Sequence, residues 1–241
     1  MPVGGGCYAA IFASRGIREP HKGTATRGEW TGAIHRNTPG VWRAPFIYRP
    51  GTVCPPLTLV FTCSMSDFWH EGVPAEWRAE ALDVIAATPH LTYQILTKRP
   101  GNIKRQLADL GRRWPDNAWC GLTIGHPKSL PLLKPLLRID APKRFLSVEP
   151  LLAPMVPGLD LTGIDWVIGG GESPGPGHPA RPCDPAWMRA LRDLCLDPGV
   201  AFFFKQWGQK SNNPTPWAEE LDRAARGGAT LDGRLWREFP R

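Results

Sequence analysis

The sequence has 241 residues, 42% hydrophobic, 21% charged and 10% aromatic, which excludes a wholly disordered chain and is enough for one large domain. Its longest apolar stretches, such as 57–63, fall far short of the roughly 20 residues that span a bilayer, so a membrane protein is excluded as well. The net charge of +7 is dispersed, with no run of five like charges, and is compatible both with a phosphate-polymer partner and with a soluble basic enzyme.

In chain order, residues 1–7 (Met-Pro-Val-Gly-Gly-Gly-Cys) offer neither a basic n-region nor an apolar h-region, so a cytoplasmic setting is expected. Residues 18–56 are rich in Gly, Pro, Thr and Arg. Trp30, Trp42 and Phe46 serve there as anchors for an irregular layer packed on the rest of the protein. From residue 57 short apolar runs alternate with amphipathic stretches. Strands are predicted at 57–63, 91–96, 118–124, 144–148, 166–168 and 201–204. Helices are predicted at 76–87, with Trp77, Ala81, Val84 and Ile85 on one face, and at 102–112, with Ile103, Leu107 and Leu110. A third opens at Asp184–Pro185, an N-cap followed by proline at the first helical position, and carries Trp187, Met188, Leu191, Leu194 and Cys195 as its stripe. The alternation predicts an α/β fold of βαβ units with right-handed crossovers and a parallel sheet, either a barrel or doubly wound. The expected organisation is one domain: an irregular layer at 1–56, an α/β core at 57–210 and an extension at 211–241. Cys7, Cys54, Cys63, Cys120, Cys183 and Cys195 include no C-x-x-C pair, so neither a zinc knuckle nor a redox dithiol can be read from them.

Most of these strands give way to polar residues at their carboxyl ends. The first runs into Ser64-Met65-Ser66-Asp67, the second into Thr97-Lys98-Arg99 and the fourth into Glu149-Pro150. The fifth ends in Gly169-Gly170-Gly171-Glu172-Ser173 and the last in Lys205-Gln206-Trp207-Gly208. In a parallel α/β sheet such positions gather at the carboxyl end of the strands, where ligands bind. Asp67, Lys98, Glu149 and Lys205 are the candidate catalytic residues, since mixed carboxylates and ammonium groups hold a zwitterion or tune proton transfer. Gly169, Gly170, Gly171, Glu172 and Ser173 are the candidate cofactor-binding run, the glycines allowing close backbone approach or an anion-binding nest. They match neither G-x-x-x-x-G-K-[ST] nor G-x-G-x-x-G after a first strand, so nucleotide motifs are rejected. Plainer readings stand beside these. Asp67 caps a turn, His70 is solvated, Lys98 and Arg99 form an ordinary loop pair or an anion clamp, and Trp207 packs over the sheet end or offers a stacking platform.

Strings in series carry a family resemblance: Cys7-Tyr8-Ala9, Ser64-Met65-Ser66-Asp67, residues 94–100 (Gln-Ile-Leu-Thr-Lys-Arg-Pro), 144–152 (Arg-Phe-Leu-Ser-Val-Glu-Pro-Leu-Leu), 165–173, 203–208 and Leu231-Asp232-Gly233-Arg234. Together they resemble the phage gene-product thirty-seven/sixty-eight family, which is of unknown function and radical-SAM-like. The resemblance implies a partial parallel (β/α) barrel of about six strands, of TIM type, and before it a loop of three cysteines holding a [4Fe–4S] cluster with S-adenosylmethionine on its open iron. Of that loop Cys7 matches the last cysteine and is the implied metal ligand, Gly4 stands at the middle one, and the first falls before Met1. The expectation is a chain shortened at its start, whose strand at 57–63 has an open edge or is covered by residues 28–56. Three functions remain open: a radical-SAM-like enzyme, a cluster-less barrel acting as a nucleic-acid-binding or accessory module, and a cofactor-free enzyme working through its carboxylates and Lys205. The substrate and the oligomeric state are not legible.

Overall fold

A computed structural model describes residues 25–26, 29–30, 34–47, 59–64, 66–175 and 179–241. Cys7 and Cys54 lie outside the described residues. The class is α/β, as expected. Six strands, β3 (Leu59–Phe61), β4 (Thr92–Thr97), β5 (Ala118–Thr123), β6 (Arg144–Val148), β7 (Trp166–Gly170) and β8 (Ala201–Gln206), form one all-parallel sheet. Each strand lies beside its predecessor, the order of a partial parallel barrel rather than a doubly wound sheet. A separate antiparallel pair joins β1 (Ala25–Thr26) to β2 (Glu29–Trp30). The chain divides into two compact units, residues 1–120 with 139–142, and residues 121–138 with 143–241.

In the first unit the segment expected to be irregular contains a helix, α1 (Pro39–Ile47), which the sequence hides behind Pro39, Gly40 and an internal Pro45. The next helix, α2 (Ala75–Ala87), buries Arg78, Leu82 and Ile85. The expected stripe of Trp77, Ala81, Val84 and Ile85 is therefore rotated by about one residue. A charged residue occupies the core position: the Arg78 guanidinium, 4% exposed, donates to the carbonyls of Phe68 (3.2 Å), His70 (3.0 Å) and Val73 (3.4 Å). It thereby pins the loop that leaves β3. The third helix, α3 (Pro100–Asp109), starts two residues earlier than its apolar period suggests, because Pro100 suits the first turn, and it stops before Gly111 at φ +60°. Trp69 stacks on Trp114 with ring centres 5.8 Å apart, and the Thr88 and Tyr93 hydroxyls meet at 2.6 Å.

In the second unit a 3₁₀ turn (Pro127–Leu132) and a one-turn helix, α4 (Leu133–Leu136), connect β5 to β6. The helix α5 (Pro185–Leu196) begins as read from the sequence. Asp184 caps it by accepting from the Ala186 N–H at 2.8 Å, and Met188, Leu191 and Cys195 are its buried stripe. The extension also contributes to the sheet. Residues 236–238 run antiparallel along the outer edge of β8, with Phe204 N–H donating to the Trp236 carbonyl (2.9 Å) and Glu238 N–H to the Phe202 carbonyl (3.2 Å). That edge is therefore covered rather than left open. Trp166, Phe203 and Phe239 pack edge-on or tilted around the junction, with ring centres 5.3–6.0 Å apart.

Candidate functional site

Each of the two units holds its own set of the sequence-predicted polar residues. In the first unit Asp67 is saturated. Its Oδ1 accepts from the Thr97 hydroxyl (2.7 Å) and the Trp69 N–H (3.0 Å), and its Oδ2 from the Lys98 N–H (3.0 Å) and the Arg99 guanidinium (2.9 Å). A carboxylate with four donors ties the loop after β3 to the end of β4, and the turn-capping reading describes it well. The Lys98 ammonium group joins none of these contacts; its side chain is exposed. His70 is exposed as well, its Nδ1 accepting from the Gly72 N–H at 3.0 Å.

In the second unit Glu149, Ser173, Lys205 and Gln206 come together at the carboxyl ends of β6, β7 and β8. Glu149 Oε2 receives the Lys205 ammonium at 2.9 Å and Oε1 receives Gln206 Nε2 at 3.1 Å. The same Gln206 amide donates to the Ser173 hydroxyl at 2.8 Å. The Glu149 side chain is 17% exposed and that of Lys205 is 53% exposed, so the carboxylate lies beneath an ammonium that meets solvent.

Two local devices build this cluster. Neighbouring strand residues normally point to opposite faces, yet Lys205 and Gln206 both reach Glu149. The β7–β8 register supplies the reason: Gly169 pairs with Phe204 but Gly170 pairs with Gln206, leaving Lys205 as the extra, bulged residue. Bulges re-aim side chains in this way. The second device is space. A Cβ on Gly170 would lie 3.1–3.2 Å from Glu149 Cγ, Cδ and Oε1, so the absence of a side chain lets the carboxylate lie over the strand. The segment after β6 is held on both sides, Leu151 N–H donating to the Gly170 carbonyl (2.9 Å) and Leu152 N–H to the Gly125 carbonyl (2.8 Å).

The rest of the glycine run serves packing. Gly169 and Gly170 lie in extended β7 rather than in a nest, and Gly169 makes room for Met188, whose sulfur would stand 2.7 Å from an added Cβ. Gly171 admits the Trp207 carbonyl. Glu172 is engaged by Arg181: the guanidinium Nε and Nη2 donate at 2.8 and 2.6 Å, and the Arg181 backbone N–H at 2.8 Å. The hydrogen bond to Glu172 raises the arginine's pKa still further. Nothing in the spacing of Glu172 and Arg181 signals this fork in the sequence. Trp207 is fully buried and donates to the Thr230 carbonyl at 2.9 Å, so it packs and offers no stacking platform.

The described cysteines do not fit an iron–sulfur cluster. Burial pushes the Cys183 and Cys195 thiols up to about 12, which keeps them protonated and poor as thiolate ligands. Cys120 is buried in β5, and Cys63 alone among the described cysteines is exposed. Among the described residues no group of three or more His, Cys, Asp or Glu side chains could hold a metal ion.

Among the described residues no helix is long and apolar enough to cross a membrane. No curated protein and no solved structure matches the chain. A family described as "Protein of unknown function (DUF5131)" matches residues 2–240, and the chain belongs to that family.

Proposed function

We propose that this protein is a radical-SAM-like parallel α/β protein that binds a small molecule at the carboxyl end of β6–β8, without an iron–sulfur cluster held by its own described residues. One observation carries the reading. A bulge at Lys205 turns two consecutive side chains onto a largely buried Glu149, an arrangement that sheet packing alone does not require. There Glu149 can hold a cation or accept a proton, while Lys205 can neutralise an anionic group on the same ligand. The resemblance puts S-adenosylmethionine among the ligands to test, and Glu149 and Lys205 are the residues on which its binding would depend. The alternative, a nucleic-acid-binding module, draws on the net charge of +7. Exposed arginines such as Arg99, Arg105, Arg112 and Arg189 are each tied to a carboxylate, which favours the small-molecule reading.

The test is a metabolite screen by unfolding midpoint that includes S-adenosylmethionine, run on the wild type, Glu149→Gln and Lys205→Met. The expected hits raise the wild-type midpoint and lose that effect in both variants. Hits indifferent to both substitutions would refute the reading. So would one iron–sulfur cluster per chain after anaerobic reconstitution that persists when Cys7 and Cys54 are both replaced by alanine.

A further inference from the structure

The unused hydrogen-bonding capacity of the Glu149 cluster defines a ligand class; this step rests on the site proposed above. Each carboxylate oxygen of Glu149 takes one donor and has room for a second. The Lys205 ammonium has three N–H groups and spends one on Glu149. Ser173 Oγ accepts from Gln206, so its own proton is uncommitted among the described residues. Gln206 spends its Nε2 on Glu149 and Ser173, and its Oε1 has no partner among the described residues. The cluster therefore offers acceptors, Glu149 and Gln206 Oε1, next to donors, Lys205 and the Ser173 hydroxyl.

We infer that the ligand carries an ammonium group adjacent to a carboxylate, the head group of an α-amino acid. The ammonium binds Glu149 and Gln206 Oε1. The carboxylate takes Lys205, which leaves Glu149, and the Ser173 hydroxyl. The exchange conserves charge, because an internal ion pair is replaced by two pairs with the ligand. A largely buried carboxylate under a half-exposed ammonium suits this exchange, since Lys205 can swing into solvent while Glu149 cannot. A nucleobase edge offers a similar donor–acceptor pattern without charge. It would want a ring platform, and the nearest tryptophan in sequence, Trp207, is fully buried.

Isothermal titration of the full chain tests this with the free L-amino acids, their des-amino acids, their decarboxylated amines, and guanosine. At least one amino acid is expected to bind, with both truncated analogues weaker by roughly tenfold or more, the size expected for a lost charge-assisted hydrogen bond. Glu149→Gln and Lys205→Met should each abolish that preference, while Lys134→Ala on the exposed surface should leave it intact. Binding of an amine, a carboxylate or guanosine as tight as that of the amino acid overturns the inference, as does no binding of any amino acid. Should the inference fail while the metabolite screen still yields a ligand lost in Glu149→Gln, the site stands and only the ligand class is wrong.

Discussion

Two carboxylates, Asp67 in the loop that follows β3 in the first unit and Glu149 directly after β6 in the second, have opposite surroundings. Asp67 accepts four hydrogen bonds, two of them from backbone N–H groups. Those donors are fixed by the chain path, so the carboxylate holds two loops together and has no capacity left. Glu149 accepts two, both from side chains, one of them half exposed and placed by a bulge. Position at a strand's carboxyl end thus nominates a residue, and the number and source of its hydrogen bonds show whether it has capacity left for a ligand. Glu220 makes the same point within the second unit. It is 5% exposed and accepts from the backbone N–H groups of Asp222, Ala229 and Thr230, the Thr230 hydroxyl and the Asn213 amide.

The contrast can be broken by mutation. Asp67→Ala strips the buried Thr97 hydroxyl and two backbone N–H groups of their acceptor and should cost about 3 kcal/mol in urea denaturation. A loss within about 0.5 kcal/mol, the usual range for an ordinary surface position, would show that Asp67 is no fastener. Glu220→Gln should cost about 2 kcal/mol by the same assay. Burial alone would raise the Glu220 pKa, but the Thr230 hydroxyl, the Asp222 and Ala229 N–H groups and Asn213 more than offset it and hold the group below the usual carboxylate range. Its contribution is therefore complete above the unfolded-state value of about 4.3 and is lost as pH falls through the depressed native value. Acid titration of stability should be correspondingly flatter in Glu220→Gln than in the wild type, and identical slopes would contradict the assignment.

Gly170→Ala sharpens the comparison at the other carboxylate. Glu149 must yield by a few tenths of an ångström, so stability should fall by about 1 kcal/mol while ligand binding falls far more. Parallel losses of both would mean that Gly170 matters only for packing. The smallest effect is expected for Lys205→Met, no more than about 0.5 kcal/mol of stability, because its ion pair is half exposed.

Much of the fold is legible because strands and helices alternate with distinct periods and each break carries its own marker. Asp184–Pro185 announces a helix start, and the apolar run at 144–148 matches the observed β6. The helix at Pro39–Ile47 is not legible, since two prolines and a glycine weaken every helical signal there. Nor is the edge pairing of residues 236–238, which depends on contacts distant in sequence. At the candidate site, sequence position nominates Glu149, Lys205 and Ser173, but neither the bulge that joins them nor the fastening of Asp67 and Glu172 leaves a local signature. Arg78 is hidden for a related reason: an arginine on an apolar face reads as surface until the carbonyls around it are known.

The most direct test places Asp67→Asn and Glu149→Gln side by side in urea denaturation under one buffer. The prediction is a loss of about 2 kcal/mol or more for Asp67→Asn and less than about 1 kcal/mol for Glu149→Gln, whose partner Lys205 can be solvated instead. Equal losses, or a larger one for Glu149→Gln, would make Glu149 a fastener like Asp67 and contradict the assignment of the β6–β8 end as a binding site.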